Sequence, residues 1–272
     1  MKLNTARKIR MFLIAVTALG LCGSARGQSS PSCLGPNGAA IDCVALGSDY
    51  FATQPGTFFT FPGVGMVDLK GNPIGPGATD TIIQRQQDAI INGPAAPIQI
   101  VALSLESTVP VVIGPSDPNL FITLDPNNLA NDTGFISIGG SLAGGTFTSS
   151  LNVFFDVCLV PSANGVGCGG GTQPIFGGFI ALSNGGSNWS PTPPPDAVIV
   201  PGPAGDQAAN LHSGLPSNLV DFFPGPAPVQ ECSQSNGCHY VDPATPEPSS
   251  VVLMGTALLG LGMLARKFSQ AA

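Results

Sequence analysis

Positive charge is almost absent from the central part of the sequence. Of the nine lysines and arginines, only Lys70 and Arg85 lie between residues 28 and 245, where 15 of the 16 acidic residues also lie. The formal charge of this segment is therefore −13. Binding to nucleic acids or to anionic lipid surfaces needs basic side chains that neutralise phosphate groups. The sequence thus excludes a nucleic-acid partner, and its singly spaced acids favour a solvated surface.

Residue types that commonly build catalytic sites are also scarce. The chain has two histidines, His212 and His239, and they lie in unrelated sequence contexts. The Asp-Thr-Gly triplet at 132–134 has the form of the aspartic-protease motif, but it occurs once, and that chemistry needs two facing aspartates. Residues 165–170 have the glycine spacing of a dinucleotide-binding loop but lead into no helix. We therefore predict no catalytic residues, no enzymatic activity and no cofactor.

An oxygen-rich stretch raises the question of a metal site. Asp125, Asn127 and Asp132 lie close together in the sequence, and calcium takes six to eight oxygen ligands. The EF-hand pattern is absent, because Leu129 and Ala130 stand where a ligand and a glycine are needed. Since Asp and Asn are also typical turn residues, no metal site is predicted, and these three residues are kept as calcium candidates.

The middle of the chain is rich in β-branched and aromatic residues, which favour strands. Leu151, Val153, Phe155 and Val157 alternate with other residues, as in a half-buried strand. Turn residues separate the runs, which cover residues 98–105, 120–124, 135–138 and 146–160. We predict an all-β fold, an antiparallel β-sandwich with long Pro/Gly-rich loops, over residues 28–190.

Two further segments need separate interpretation. Residues 79–92 have helix-capping residues at both ends, but their paired isoleucines fit neither the helical nor the strand period, and we favour extended chain. Prolines recur closely from residue 191 onward. This composition predicts Pro-rich loops and a spacer, over residues 191–245, packed on the domain.

Six cysteines remain beyond the N-terminal segment, and they form three close pairs. Each pair brackets an Asn-Gly dipeptide, the preferred two-residue hairpin turn. Two cysteines at the mouth of a turn can reach bonding distance, and exported proteins meet oxidising conditions. We predict the local disulfides Cys33–Cys43, Cys158–Cys168 and Cys232–Cys238.

The N-terminus has the order of a secretory signal peptide. Basic residues between Lys2 and Arg10 precede an apolar run from Met11 to Leu21, and small residues surround Arg26. This order predicts a cleaved signal peptide over residues 1–27 and recognition by the Sec export machinery.

The C-terminus contains a second targeting segment. Pro246-Glu247-Pro248 precedes an apolar run from Val251 to Ala265, and Arg266-Lys267 follow it. The run predicts a single C-terminal transmembrane helix with its basic end in the cytoplasm. Fifteen residues cover about 23 Å of a bilayer core of roughly 30 Å, so a transient membrane stop is favoured over a permanent anchor.

This arrangement resembles the PEP-CTERM sorting signal of Gram-negative bacteria over residues 246–267. The resemblance implies an exosortase partner, removal of the helix, an inner-membrane-tethered precursor and delivery to the cell surface or extracellular matrix. Pro246, Glu247, Pro248, Arg266 and Lys267 would be the sorting residues. It also implies an organism that makes exopolysaccharide.

The expected function is therefore a structural or adhesive protein of the cell surface or exopolysaccharide matrix. One alternative is a carbohydrate-binding module, which predicts a cleft holding Trp189 or Tyr50 beside acids. Another is a polysaccharide hydrolase, which needs two carboxylates about 5–10 Å apart in a groove.

Overall fold

The computed structural model describes residues 33–35, 37–112, 117–160, 168, 174–225, 228–233 and 237–245. The signal peptide of residues 1–27, the PEP motif of 246–248 and the expected transmembrane helix lie outside the described residues. Within the part of the chain that is described, no helix is long and apolar enough to cross a membrane.

The described residues form strands and one short 3₁₀ helix at Leu129–Asn131, with no α-helix among them, which confirms the all-β prediction. The strands are β1 (Cys43–Val44), β2 (Gly47–Thr53), β3 (Phe58–Phe61), β4 (Gly65–Gly71), β5 (Thr81–Arg85), β6 (Ala89–Ile90), β7 (Ala96–Ser107), β8 (Asn119–Leu124), β9 (Thr133–Ser141), β10 (Gly144–Val160), β11 (Phe176–Ser190), β12 (Pro201–Pro203), β13 (Leu211–Ser213), β14 (Leu219–Val220), β15 (Phe223–Pro224), β16 (Val229–Ser233) and β17 (Gly237–Pro243).

The main sheet closes on itself. Antiparallel pairings run through β10, β8, β7, β4, β3, β17, β16 and β11 and return to β10. The fold is therefore a closed eight-stranded barrel, whereas the sequence predicted a two-layered sandwich. Both architectures need the same alternation of apolar and polar residues, so the alternation alone could not distinguish them.

The long strands β7 and β10 exchange partners part-way along their length. β10 pairs with β9 over its first half and with β8 over its last six residues, while its other edge stays on β11. β7 likewise pairs with β9 and β5 near its beginning and with β8 and β4 near its end. A second path through β9, β5 and β2 thus completes the wall at the other end of the barrel.

The barrel interior is filled by apolar side chains from every strand of the wall. Leu151, Val153, Phe155 and Val157 of β10 are all buried, as their alternation predicted. Residues 79–92 are extended, as predicted, and supply β5 and β6.

The Pro-rich region contributes more than loops. β12 to β15 are short strands within it, but the hairpin of β16 and β17 belongs to the barrel wall. The barrel therefore extends past residue 190, where the sequence placed its end, to Pro243.

The three predicted disulfides are present: Cys33–Cys43, Cys158–Cys168 and Cys232–Cys238. Cys232 and Cys238 face each other across the β16–β17 hairpin. Gly237, in the Asn-Gly pair at this turn, has φ 134°, and a Cβ atom there would lie 2.1 Å from the Phe58 carbonyl oxygen. Only glycine tolerates that backbone position.

Candidate functional site

The outer face of β9, β10 and β11 carries a broad stretch of uncharged side chains, which we call the hydroxyl face. Asp156, on the same face of β10, borders it beyond Phe154. Cross-strand pairs such as Ser137–Thr148 and Ser150–Ser183 place small polar side chains side by side on it. Its outward residues are Thr133, Phe135, Ser137, Thr146, Thr148, Ser150, Asn152, Phe154, Phe179, Ala181 and Ser183. In a segment of charge −13, this stretch of hydroxyl, amide and phenyl groups, with the Asp156 carboxylate only at its border, can contact a neutral partner.

Two phenyl rings stand out from the hydroxyl face. Phe135 is 58% exposed and Phe179 is 51% exposed. Phe179 pairs across the strands with Phe154, and their ring centroids are 4.9 Å apart. Phe135 pairs across the strands with Ser150. Ser150 lies four residues from Phe154 along β10, so at 3.4 Å per residue these two positions are about 14 Å apart. The face thus offers apolar contacts at two separated points with hydroxyl groups between them.

The aromatic residues that the sequence proposed for sugar binding are placed differently. Trp189 is buried, donates its Nε1 proton to the Gly139 carbonyl oxygen at 2.9 Å, and stacks on Phe222. Tyr50 is half-buried and donates its hydroxyl proton to the Ala208 carbonyl oxygen at 2.8 Å. Neither ring is presented as an open platform. Sequence alone could not identify Phe135 and Phe179 as exposed, because phenylalanine is more often a core residue.

Ionisable groups occupy the interior of the barrel. Arg85 forms an ion pair with Asp49, donates from Nε to the Ala45 carbonyl oxygen at 3.0 Å, and lies 4.7 Å above the Phe222 ring. Burial raises the pKa of Asp49 to about 6, although the Arg85 guanidinium opposes the rise. Arg85 is one of the two lysine and arginine residues in residues 28–245, and its charge is buried inside the barrel.

Glu231 and His239 face each other on β16 and β17, and both are buried. The Ser149 hydroxyl donates to Glu231 at 3.3 Å, yet burial raises the pKa of Glu231 to about 7. His239 Nε2 lies 3.0 Å from the Thr53 hydroxyl, and burial lowers the pKa of His239 to about 4. At neutral pH the imidazole is therefore uncharged, and the carboxyl group is divided between its two forms.

The spaces beside these carboxyl groups are small. Asp49 and Glu231 line one of about 20 Å³, and Glu231 and His239 line another of about 10 Å³. A void of that size holds about one water molecule. A sugar ring cannot reach a pair of carboxylates placed in this way.

His212 lies on β13, apart from His239 on β17, and both of its ring nitrogens are engaged. Its Nδ1 lies 2.7 Å from Asp221, and its Nε2 lies 2.7 Å from the carbonyl oxygen of Asp206. Both ring nitrogens are thus held by oxygen atoms of the surrounding loops, which is a structural arrangement.

The calcium candidates are mostly engaged with one another and with the backbone. The Asp125 carboxylate accepts hydrogen bonds from the Asn127 backbone and from the Asn127 and Asn128 side chains. Oδ1 of Asp132 accepts a hydrogen bond from the Phe154 backbone N–H at 2.6 Å. Its buried Oδ2 has no hydrogen-bond partner among the described residues. Among the described residues, no group of three or more His, Cys, Asp or Glu side chains is placed to hold a metal.

The described part of the chain ends at Thr245, where the last residues are hydrogen-bonded to the barrel. Ala244 donates to the Tyr50 carbonyl oxygen at 2.8 Å and accepts from Val198 at 2.6 Å, and Thr245 accepts from Ala78 at 3.1 Å. Residues 244–267 match the PEP-CTERM protein-sorting motif. The chain is a PEP-CTERM protein. This motif implies export, processing by an exosortase and a place at the cell surface.

The PEP-CTERM motif identifies how the protein is delivered and leaves its barrel unassigned. A search among curated proteins and a search among solved structures each found no match. The sorting residues Pro246, Glu247, Pro248, Arg266 and Lys267 lie inside the matched range but outside the described residues.

Proposed function

We propose that the barrel of this PEP-CTERM protein is a noncatalytic structural or adhesive domain of the cell surface or exopolysaccharide matrix. The Sec machinery would export it, and a membrane-tethered precursor would precede exosortase processing. The observation that carries the proposal is the hydroxyl face, where uncharged hydroxyl, amide and phenyl groups run across three adjacent strands up to Asp156 at its border. A hydrated neutral polymer can hydrogen-bond to such a face while the acids elsewhere keep copies of the protein apart.

The noncatalytic part of the proposal is supported by where the ionisable groups lie. Asp49, Glu231 and His239 are buried around voids of one-water size. His212 has both ring nitrogens engaged. Catalysis requires a reacting group to reach its substrate within hydrogen-bond distance.

The adhesive role is tested by placing charge on the hydroxyl face. In cells that export the protein, Thr148→Lys, Ser150→Lys and Asn152→Lys are combined in one variant. All three positions are exposed, so the fold should be kept. We expect the wild type in the matrix fraction and the variant in the culture medium. Met66→Lys on β4, at a position that is 67% exposed, is the matched control and should stay with the matrix. Retention of the triple variant in the matrix would reject the proposed contact surface.

Binding of a specific carbohydrate is the second candidate, and the exposed Phe135 ring favours it. An apolar ring flanked by hydroxyl groups can contact the C–H face of a sugar while the hydroxyl groups bond its edge. The processed protein is applied to a glycan array together with Phe135→Ala. Selective binding that Phe135→Ala abolishes would favour a carbohydrate-binding module over a general matrix protein.

A further inference from the structure

In the described part of the barrel, the wall has a gap beyond Ser233 and Gly237 of the β16–β17 hairpin. Among the described residues, β16 joins β11 through the single bridge Ser183–Cys232, and β17 joins β3 only at Phe58 and Phe59. The hairpin ends there, and its Cys232–Cys238 disulfide lies one residue pair before the turn. As far as the described strands go, residues 176–182 of β11 are paired only with β10, and residues 60–61 of β3 only with β4.

A cavity of about 230 Å³ lies in this gap, and we call it the aromatic slot. Three of its rings meet edge to face: the Phe61–Phe155 and Phe61–Phe176 centroid distances are 6.3 Å, and the Phe155–Phe176 distance is 6.1 Å. Phe59 and Phe179 complete the aromatic lining. None of the described residues that line the slot carries a charge.

Gly178 keeps the slot open. It lies on β11 opposite Phe155. A Cβ atom at this position would lie 2.5 Å from Cζ of Phe155, so any larger residue would displace that ring. Gly178 thus allows the Phe155 ring to pass over the strand and form one wall of the slot.

We propose that the aromatic slot binds a small uncharged aromatic molecule that carries one hydrogen-bonding substituent, as a phenol does. Its ring packs against the phenyl groups in edge-to-face contacts. Its hydroxyl group bonds to backbone N–H or C=O groups on the unpaired edges of β11 and β3.

Size and charge restrict the ligand to this class. An apolar cavity of roughly 150 Å³ can hold benzene, so a slot of about 230 Å³ has room for one substituted ring. A charged substituent would lose its hydration without gaining a charged partner in the lining. The phenyl lining favours a planar ring over a saturated one because the ring edges and faces attract one another. This inference does not depend on the proposed adhesive role, because the hydroxyl face and the slot share only Phe179.

The test uses the processed protein purified from the cell surface, with 4-fluorophenol as the probe and fluorine NMR line broadening as the readout. We expect sub-millimolar binding of 4-fluorophenol. Phe179→Ala removes one wall of the slot at a position that is 51% exposed, so the fold should survive. This variant should bind roughly fivefold more weakly, and Gly178→Ala at least roughly tenfold more weakly. Phe135→Ala, on the hydroxyl face outside the slot, is the control and should bind like the wild type.

Competition experiments separate the outcomes. Cyclohexanol and benzoate should each displace the probe at least roughly tenfold less well than phenol. Equal displacement by cyclohexanol would overturn the aromatic class, and equal displacement by benzoate would overturn the requirement for an uncharged ligand. Absence of probe binding to folded wild type at millimolar concentration would overturn the site itself. If a second copy of the chain covered the slot, binding would weaken as protein concentration rises, and that result would also overturn the proposal.

Discussion

Glu231 places a carboxyl group in the interior of the barrel, and the effect of this group on stability should depend on pH. Burial raises its pKa from 4.5 to about 7, so the folded state holds the proton more tightly than the unfolded state. The stabilisation is complete below about pH 4.5 and is lost as the pH rises through about 7. Glu231→Gln removes this dependence. Between pH 4 and pH 8, we expect the variant to gain on the order of 3 kcal/mol of unfolding free energy relative to the wild type.

Urea unfolding of the processed protein at several pH values measures this difference. Glu106→Gln is the control, because Glu106 forms an ion pair with a half-exposed lysine, Lys70, at 2.6 Å. Its effect should remain within about 1 kcal/mol at every pH. A constant difference between Glu231→Gln and wild type from pH 4 to pH 8 would contradict the expectation.

His239 should behave in the opposite sense. Burial lowers its pKa from 6.5 to about 4, so its contribution to stability is present above about pH 6.5 and is lost as the pH falls through about 4. In an NMR titration, the His239 ring resonance should keep its neutral position down to about pH 5, where an unfolded histidine would already be protonated. A titration midpoint near 6.5 would show that the ring is hydrated and the barrel interior open to water.

At the level of single residues, sequence could identify Arg85 as unusual but could not place it. It was one of two cations in a long acidic segment, and nothing in the surrounding residues indicated an inward direction. Its ion pair with Asp49 and its position over Phe222 join strands β2 and β5 to a loop residue far along the chain. Such long-range contacts depend on the folded topology, which the local pattern does not contain.

Among the elements, the β16–β17 hairpin completes the barrel wall, and its disulfide should affect both stability and local hydrogen exchange. In the chain-entropy model, a ring of this size contributes about 2 kcal/mol. The double variant Cys232→Ser/Cys238→Ser should therefore lose about that much stability. It should also lose hydrogen-exchange protection in β16, since β16 joins β11 through one bridge among the described residues.

The Cys33–Cys43 disulfide provides the comparison, because it lies outside the barrel strands. The double variant Cys33→Ser/Cys43→Ser should lose similar stability while β16 stays protected from exchange. If β16 exchanges equally slowly in both variants, the hairpin is held by packing and not by its disulfide.

Prediction of elements from sequence succeeded where apolar alternation was strong. β7, β8, β9 and β10 all contain the predicted runs. β11 was missed because its glycines, serines and asparagine hide the pattern, although Ile180, Leu182 and Trp189 point inward. β16 was missed because a buried position is occupied by Glu231. The hydroxyl face includes β11, so it could not have been found before the fold was known.

For the whole molecule, the closed barrel could not be predicted because closure depends on which strand edges meet across the sequence. The acidic charge is a property that composition did reveal, and it predicts a response to salt. Raising NaCl from 0.01 M to 1 M shortens the screening length from about 30 Å to about 3 Å. Because Lys70 and Arg85 are both already paired, the remaining acids repel one another, and screening should stabilise the barrel. Calorimetry should show an unfolding midpoint that rises by a few degrees at pH 7.

The same salt change at pH 3.5 is the control, since many carboxylates are then protonated and the acidic charge is smaller. The midpoint should rise less there. An equal rise at both pH values would mean that salt acts through general solvent effects and not through repulsion between the acids.

The hydrogen bonds of Ala244 and Thr245 have a consequence for processing. The sorting motif begins at residue 244, inside the last bonded residues of the barrel. The two residues before Pro246 are therefore hydrogen-bonded to the barrel. A peptide bond on the N-terminal side of Pro246 can enter an active site only after Ala244 and Thr245 release Tyr50, Val198 and Ala78. Cleavage before Ala244 would remove these hydrogen bonds from the barrel, whereas cleavage after Thr245 would keep them.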